Sequence, residues 1–406
     1  MTLKKIDKSI YPSIGLSFVL LGVQLGTFFR YLSGFDAVYF LMFIGGVLLF
    51  DYKNLLKGRY PSLHRDMFIL LVSQIIILIY CLFAPSPEGT KNIFVYYSIV
   101  LVFAFSSQPY NIVWSKFIKI FFILSSITAL IGGYIYLTSL QSLLYGNGSD
   151  ILDEVGRGDA SPIFLFPRAA NLNLIACLLY ISVSKNKTAH LICSLLILFD
   201  FIIVLSSGKR TVFILFILYI IYFLWANKLL RTIIFSSKGW LYILVLLFIM
   251  FGLFNTVPFL SEYYDRFADR FVDGVKILLG MEYGEYDESA ATRPLLRQWA
   301  FSIVDSKFSI INYIFGYGYM TRYIDQPFFQ ALFDMGIVGC FVYIYQALLF
   351  PLKHLLKRPS SNPNLLFAKM INLDIIISCF HAGVPYGYTM YLPVLCLIYF
   401  SKQKSL

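Results

Sequence analysis

Two arginines four residues apart form the first pattern in this sequence with a clear chemical use. Arg293 and Arg297 lie in TRPLLRQWAF, where Thr292 and Pro294 predict the start of a helix. The spacing places both guanidinium groups on one helix face, where they repel each other unless an anion lies between them. Such a pair near a helix N-terminus matches a diphosphate in charge and donor geometry. The alternative is an ion pair with one of the nearby acids Glu285, Asp287 and Glu288.

Further cations lie at the ends of apolar runs. Lys209 and Arg210 belong to LSSGKRT, which joins two such runs almost without a loop, and Arg168 follows a proline in FLFPRAANL. Arg157 and Arg322 have similar positions. Ionisable residues at such depth are functional candidates, and as a set we expect them to surround one anion-binding cavity. The alternatives are snorkelling to lipid headgroups or, for Arg168, pairing with an intramembrane acid, Asp200.

The remaining candidate groups predict no metal or nucleotide chemistry. His381, in CFHAGVPYGY, is an auxiliary candidate, either as a base or as a partner in a buried hydrogen bond. HExxH, paired CxxC, Walker and GxGxxG-after-strand patterns are absent from the sequence, so it predicts no metal site and no cofactor. All six cysteines fall in apolar runs, which favours buried packing over disulfide bonds.

The elements that position these residues are membrane helices. The 406 residues are 59% hydrophobic and 14% charged, with a mean hydropathy of +0.74, whereas soluble domains carry roughly 25% charged residues. A bilayer accommodates this apolar surface, and a span needs roughly 17–25 apolar residues. Twelve runs approach that length, at about 10–28, 35–51, 66–84, 93–108, 117–137, 167–184, 189–207, 211–226, 239–257, 326–350, 365–381 and 384–400.

Charge supports this count and sets the topology. With the N-terminus inside, the cytoplasmic segments hold 20 cations and three acids, whereas the outer segments hold more acids than cations. This is the asymmetry of the positive-inside rule, and it places both termini in the cytoplasm. The net charge of +11 is therefore a consequence of topology, and it does not indicate a nucleic-acid partner.

The sequence thus predicts an all-α integral membrane protein of about twelve transmembrane helices with one large, partly helical outer loop. Residues 1–257 hold spans one to nine and include an outer loop at about 138–166. Residues 258–325 form the large outer loop, whose first part has an amphipathic helical pattern. Residues 326–406 hold the last three spans, and the whole chain is expected to form a single membrane domain.

Three segments carry a family resemblance. They are GRGDASPIFLFPRAANLN, LSSGKRT, and TRPLLRQWAF…IFGYGY followed by YIDQPFFQALFDMGIVG. In their order and spacing, and with the large late loop, they resemble the O-antigen polymerase and ligase superfamily of bacterial envelope enzymes, particularly its Wzy-type polymerases. The likeness covers most of the chain, although each motif alone is loose.

The resemblance implies a membrane glycosyltransferase of the bacterial inner membrane, with its active site facing the periplasm. It would move a growing glycan from undecaprenyl diphosphate to the non-reducing end of a new lipid-linked oligosaccharide unit. Membrane lipid and a chain-length regulator protein would be its other partners. The leaving diphosphate needs cations and the acceptor hydroxyl needs a base. The resemblance assigns the first role to arginines of the outer loops: Arg168, Arg210, Arg293 and Arg297.

One departure from the superfamily separates polymerase from ligase. Ligases usually carry a histidine near the end of the large loop, where this chain reads RYIDQPFF. This difference favours polymerisation and makes Asp325 the candidate base or acceptor-orienting group, with a helix N-cap as the alternative role. Ligation remains an alternative function. Transport by a polysaccharide flippase is another, although the sequence lacks the repeated halves common in transporters.

Overall fold

The computed structural model describes residues 10–59, 65–83, 89–108, 114–145, 162–207, 209–228, 288–319, 322–324, 326–357, 362–381 and 385–402, with positions 248, 252 and 272. Within these residues every regular element is helical, which satisfies backbone hydrogen bonds inside each segment as a bilayer requires.

Fifteen helices are described. In chain order they are α1 (Ile10–Ser33), α2 (Val38–Leu49), α3 (Tyr52–Leu56), α4 (Arg65–Phe83), α5 (Gly89–Ser107), α6 (Trp114–Tyr145), α7 (Pro162–Val183), α8 (Lys187–Ser206), α9 (Arg210–Ala226), α10 (Glu288–Lys307), α11 (Ile310–Phe315), α12 (Pro327–Ile344), α13 (Phe350–Leu355), α14 (Pro363–His381) and α15 (Tyr388–Lys402). One π-helical turn, Tyr345–Leu349, joins α12 to α13.

The prediction of a helical membrane protein is confirmed, whereas the count of twelve spans stays a prediction. Among the described residues, six segments are long and apolar enough to cross a membrane: Ile10–Ser33, Arg65–Leu82, Lys116–Thr138, Phe166–Val183, Lys187–Leu205 and Pro327–Leu355. Three apolar helices are shorter: Val38–Leu49, Val95–Ser107 and Thr211–Ala226. The last two predicted spans correspond to α14 and α15. Apart from the single positions 248, 252 and 272, the predicted span at 239–257 and the amphipathic part of the large loop lie outside the described residues.

The chain divides into two units by its internal contacts. The first comprises Met1–Pro61 and Ser107–Phe223, and the second comprises Ser62–Ser106 and Leu224–Leu406. This division leaves the predicted single membrane domain untested.

In the first unit, small residues allow helices to approach closely. A Cβ atom at Gly15 of α1 would lie 2.8 Å from the carbonyl oxygen of Gly45 in α2. A Cβ atom at Gly132 of α6 would lie 2.0 Å from the ring of Phe166, which starts the apolar part of α7. Close backbone approach of this kind is how membrane helices gain packing energy without a hydrophobic driving force. The result is a bundle in which α6 and α7 carry the central contacts.

In the second unit, α12, α14 and α15 pack together and contact α4. Aromatic pairs join α5 to α15, with ring centroids 5.1 Å apart for Tyr97 and Tyr388 and 5.5 Å apart for Phe105 and Tyr399. At the π-helical turn, the Gln346 amide donates a hydrogen bond to the Ser73 hydroxyl of α4. These contacts fix α12, which is the element that positions the candidate site.

The prediction of a helix start at Thr292 was wrong by one turn, because α10 begins at Glu288. Ala290 and Ala291 are strong helix formers, and they extend the helix towards the N-terminus. α10 ends at Lys307, and α11 follows from a capping box in which the Ser309 hydroxyl accepts from the backbone N–H of Asn312.

Candidate functional site

A break in α12 organises the candidate site in the second unit. Gly336 has φ 64° and ψ −163°, which interrupts the helix and frees carbonyl groups that the apolar interior cannot solvate. The backbone N–H of Tyr317 donates to the Phe333 carbonyl at 2.8 Å, and that of Gly318 donates to the Asp334 carbonyl at 3.3 Å. The end of the large loop is therefore docked onto the break through its own backbone.

A single glutamine ties the next part of the loop to the same helix. The Gln330 amide donates to the Arg322 carbonyl at 3.0 Å and accepts from the Ile324 N–H at 2.7 Å. It also donates to Asp334 Oδ2 at 2.9 Å, and the Tyr386 hydroxyl donates to that same oxygen at 2.9 Å. Gln330, Asp334 and Tyr386 are all fully buried. We call these three residues the clamp, because they hold the backbone of the Arg322 segment.

Tyr319 directly follows the docked residues Tyr317 and Gly318, and its side chain is buried in the same region. The ring of Tyr319 lies 4.9 Å from that of Tyr386, and burial raises the pKa of Tyr319 far above its ordinary value. Tyr319 therefore stays protonated over the physiological range, so this region gains no charge from it.

The clamp holds the backbone carbonyl of Arg322, while the Arg322 side chain is exposed and lies over an aromatic ring. Its guanidinium carbon lies 4.7 Å from the ring centroid of Trp299, within cation–π range. Trp299 belongs to α10 and packs on α12, with its ring 5.5 Å from that of Phe333. The guanidinium group is thereby oriented while its N–H groups remain available to an anion. Arg297, half-buried, lies two residues before Trp299 on α10.

A second group of candidate cations flanks a hydrogen bond between α7 and α9 in the first unit. The Asn171 amide of α7 donates to the Val212 carbonyl of α9 at 3.1 Å. Arg168, Lys209 and Arg210 all lie within one helical turn of that hydrogen bond along their own helices. The linker between α8 and α9 covers only residues 207–209, as the sequence predicted. Arg168 is exposed and Lys209 is half-buried.

The structure thus describes the candidate residues to different extents. It gives side-chain surroundings for Arg168, Lys209, Arg297 and Arg322. For Arg210, Arg293 and His381 it gives the helix but no side-chain description. Arg157 and Asp325 lie outside the described residues. Their proposed roles therefore stay predictions.

The structure bears on two alternative roles that the sequence left open, an ion pair for Arg168 and an N-cap for Asp325. Asp200 accepts from Asn173 at 2.8 Å, and no ion pair joins it to Arg168 in the described part of the chain. The N-cap position of α12 is held by Gln326, the residue after Asp325. Pairing of Arg168 with Asp200 is therefore wrong. Gln326 makes no side-chain capping hydrogen bond, and Asp325 lies outside the described residues, so its capping role stays a prediction.

Sequence reasoning missed the clamp and its aromatic support. Asp334 carries a recognisable signal, since it is an acid inside the apolar run FFQALFDMGIVG. Gln330 lies four residues earlier on the same helix, a spacing that allows contact. Nothing in the local sequence marks Tyr386 or Trp299, because their partners are far away along the chain.

The clamp yields a first prediction, on stability. Gln330→Leu should destabilise the purified protein by about 2–4 kcal/mol, because the Ile324 N–H and the Arg322 carbonyl would be buried without partners. Thermal unfolding in detergent measures the loss. Gln326→Leu is the matched control, since that half-buried glutamine makes no capping hydrogen bond. Equal melting temperatures for the two variants would show that the hydrogen bonds of Gln330 do not stabilise the folded protein.

Among the described side chains, no three His, Cys, Asp or Glu residues are grouped closely enough to hold a metal ion. All six cysteines are buried and form no disulfide. Compared with protein-family models, characterised proteins and solved structures, the chain matches none.

Proposed function

We propose that this protein is a membrane glycosyltransferase of the O-antigen polymerase type. It transfers a growing glycan from undecaprenyl diphosphate to the non-reducing end of a new lipid-linked unit on the periplasmic face of the bacterial inner membrane. The observation that carries the proposal is Arg322, an exposed cation oriented by Trp299 and held by a buried clamp, three residues before the acid Asp325.

The reaction requires this combination of groups. An acceptor hydroxyl attacks the anomeric carbon of the growing glycan, and the bond from that carbon to the diphosphate oxygen breaks. Negative charge develops on the leaving diphosphate, where preorganised cations stabilise it most. We assign this role to Arg322, whose guanidinium already lies on Trp299, together with Arg297 and Arg293. The hydroxyl proton passes to a base, for which Asp325 is the candidate.

The rigid support of Arg322 favours catalysis over simple surface charge. A guanidinium group on a mobile loop would lose side-chain and backbone entropy when it binds an anion. Here the carbonyl of Arg322 is already bonded to Gln330, and the guanidinium already lies on an indole ring. Most of the ordering cost has therefore been met during folding, as in other preorganised sites.

The cations of the first unit supply a second place for a phosphate or a glycan acid. Lys209 and Arg210 begin a helix of 17 residues, whose N-terminus favours anions in addition to the side-chain charges. Arg168 and Arg157 belong to the preceding loop and helix. We assign this group to substrate binding. The apolar helices of the first unit suit a polyprenyl tail, since four described segments of that unit are long enough to span: Ile10–Ser33, Lys116–Thr138, Phe166–Val183 and Lys187–Leu205.

Asp325 provides the second prediction. If it takes the proton of the acceptor hydroxyl, Asp325→Asn should slow elongation by about 10²–10⁴-fold while the protein accumulates normally. The rate should be measured with purified protein and lipid-linked units. Asp305→Asn, at an exposed position near the end of α10, is the control. A near-normal rate in Asp325→Asn would remove Asp325 from the reaction.

The decisive experiment for the proposal is reconstitution. Purified protein is incubated with undecaprenyl-diphosphate-linked repeat units from the matching strain, and the products are separated on a gel. A ladder of lengths supports polymerisation. A parallel reaction also contains lipid A core, and transfer of a glycan to that acceptor without a ladder supports ligation. If neither appears with folded protein and authentic substrate, the proposal is wrong.

Transport is the second candidate function, and one observation favours it. A helix broken at mid-length, as α12 is at Gly336, is a feature of many transporters. The same protein in liposomes, with the lipid-linked unit on one side, tests for translocation. Translocation without a ladder would replace the polymerase proposal by a flippase.

A further inference from the structure

A chain of polar side chains crosses three helices inside the first unit. The hydroxyls of Ser125 and Ser126 in α6 each donate to Asn173 Oδ1 in α7 at 3.1 Å. The amide of Asn173 donates to Asp200 Oδ2 in α8 at 2.8 Å. All four residues are buried, and Asn173 and Asp200 have no exposed area. The chain of donors therefore ends on one carboxyl group in the interior of the bundle.

The second carboxyl oxygen of Asp200 has no donor. Oδ1 is buried and receives no hydrogen bond from any group that the structure describes. An ionised carboxylate buried with a single amide donor would carry a solvation penalty of several kcal/mol. A native bundle tolerates such a group only when a positive charge compensates it.

No side chain of the packed helices supplies that charge. The described cations of these helices lie towards their ends, and none forms an ion pair with Asp200: Lys116 and Lys119 of α6, Arg168 of α7, and Lys187 of α8. His190 of α8 bonds instead to the Ser184 carbonyl at 2.7 Å. Two thiols belong to the same region, since Cys177 Sγ lies 3.9 Å from Asn173 Oδ1 and contacts Cys193. Neither thiol can contribute a positive charge.

The geometry favours a proton over a metal cation. A sodium ion needs several oxygen atoms whose lone pairs point at one gap. Here Asn173 Oδ1 already accepts two hydroxyl hydrogens, and Asp200 Oδ2 already accepts an amide hydrogen. Asp200 Oδ1 is the carboxyl oxygen that receives no donor from the described groups, and a proton on that oxygen requires no further ligands.

We propose that Asp200 is a buried proton-binding site, occupied at neutral pH, that holds α6, α7 and α8 together through Asn173. The bound proton removes the charge, so the polar chain adds hydrogen bonds to the bundle without an ionic cost. Asn173 lies five residues after Arg168 on α7, about 7.5 Å along the helix axis. Loss of the proton would place a full negative charge in the bundle beside the helix that carries Arg168.

Infrared difference spectroscopy tests the site without any assay of activity. Spectra of the wild-type protein and of Asp200→Asn are recorded in detergent at neutral pH and subtracted. The difference should contain the carbonyl band of one protonated carboxylic acid, and the band should shift in deuterated water. Asp374→Asn is the matched control, because that half-buried acid of α14 accepts from the Ser378 hydroxyl at 3.1 Å and should leave the Asp200 band unchanged.

A second variant protects the test against misfolding of the first. Asn173→Ala keeps the acid and removes its amide donor, so the band should persist at a changed frequency. Stability gives an independent measurement. A carboxyl that is protonated in the folded state and ionised in the unfolded state makes the wild type less stable as pH rises, and Asp200→Asn should lack this slope.

Two spectroscopic results would contradict a protonated Asp200. A carboxylate band at neutral pH, with no acid band in the wild type, would overturn the proposal. An acid band that disappears when sodium chloride replaces choline chloride would show a metal-cation site and would also overturn it. Failure of the polymerase assay has no bearing on either result.

Discussion

A single methyl group at Gly316 or at Gly336 should abolish normal folding of the second unit. A Cβ atom at Gly316 would lie 2.1 Å from the Asp334 carbonyl oxygen, and one at Gly336 would lie 2.4 Å from the Ile314 carbonyl oxygen. Both obstacles are backbone atoms, one in α12 and one in α11. Neither can move aside as the end of a flexible side chain could. The two glycines also have φ values of 89° and 64°, which L-residues rarely adopt.

The expected loss of folding free energy on each glycine substitution has two separate parts. The left-handed backbone costs about 1–2 kcal/mol for a residue with a Cβ atom. Overpacking against an immobile backbone adds about 1–3 kcal/mol or more. Together these come to about 2–5 kcal/mol or more, which is most of the stability of a domain at the lower end of the usual range of about 5–15 kcal/mol. Gly316→Ala and Gly336→Ala should therefore give little monodisperse protein on size-exclusion chromatography.

Gly34 provides the matched control for these variants. Its φ is 74°, but a Cβ atom there would meet nothing within 4 Å. Gly34→Ala thus carries the conformational cost without the collision, and it should lower the melting temperature only slightly. If all three alanine variants were equally stable, the close contact between the loop end and the break in α12 would be disproved.

Loss of the guanidinium group at Arg297 should stop elongation without loss of protein. Removing one preorganised group that stabilises developing charge typically costs about 10²–10³ in rate. Arg297 is half-buried on α10 and forms no ion pair with any described side chain, although Glu285 and Asp287 lie outside that part of the chain. Arg297→Ala should therefore lose activity mainly, and stability little. The length of the product ladder and the initial rate measure the effect.

Related variants sharpen this result. Arg297→Lys keeps the charge but loses the planar pair of donors, so its rate should lie between those of wild type and Arg297→Ala. Arg293→Ala should show the same loss, and the double variant should lose less than the product of the two if both bind one diphosphate. Arg30→Ala is the control, because Arg30 is an exposed arginine 3.6 Å from Asp36. Full activity in Arg297→Ala would exclude it from the diphosphate site.

Much of the fold could be predicted from local composition. Apolar runs of span length located the helices, because a bilayer permits only backbone that is hydrogen-bonded within itself. The short linker before Arg210 was evident from LSSGKRT for the same reason. The start of α10 was misplaced, because the helix propensity of two alanines outweighed the capping potential of Thr292.

Only the charged residues of the candidate site could be predicted from the sequence. Arg297 and Arg322 were visible as cations in an apolar chain, whereas the groups that hold Arg322 were not. Gln330 reaches Arg322 across 8 residues, and Tyr386 reaches Asp334 across 52. Such contacts depend on which helices are neighbours, and no periodicity in one segment records that choice.

The sequence by itself determined that this is a helical membrane protein with cations at the ends of its apolar runs, because hydropathy and charge act residue by residue. Only the tertiary structure decided that α12 breaks at Gly336, because that break is stable only when Tyr317 and Gly318 bond to the freed carbonyls. It also decided that Asp200 lies beside Asn173 and not beside Arg168, because the packing of α6, α7 and α8 selects the partner.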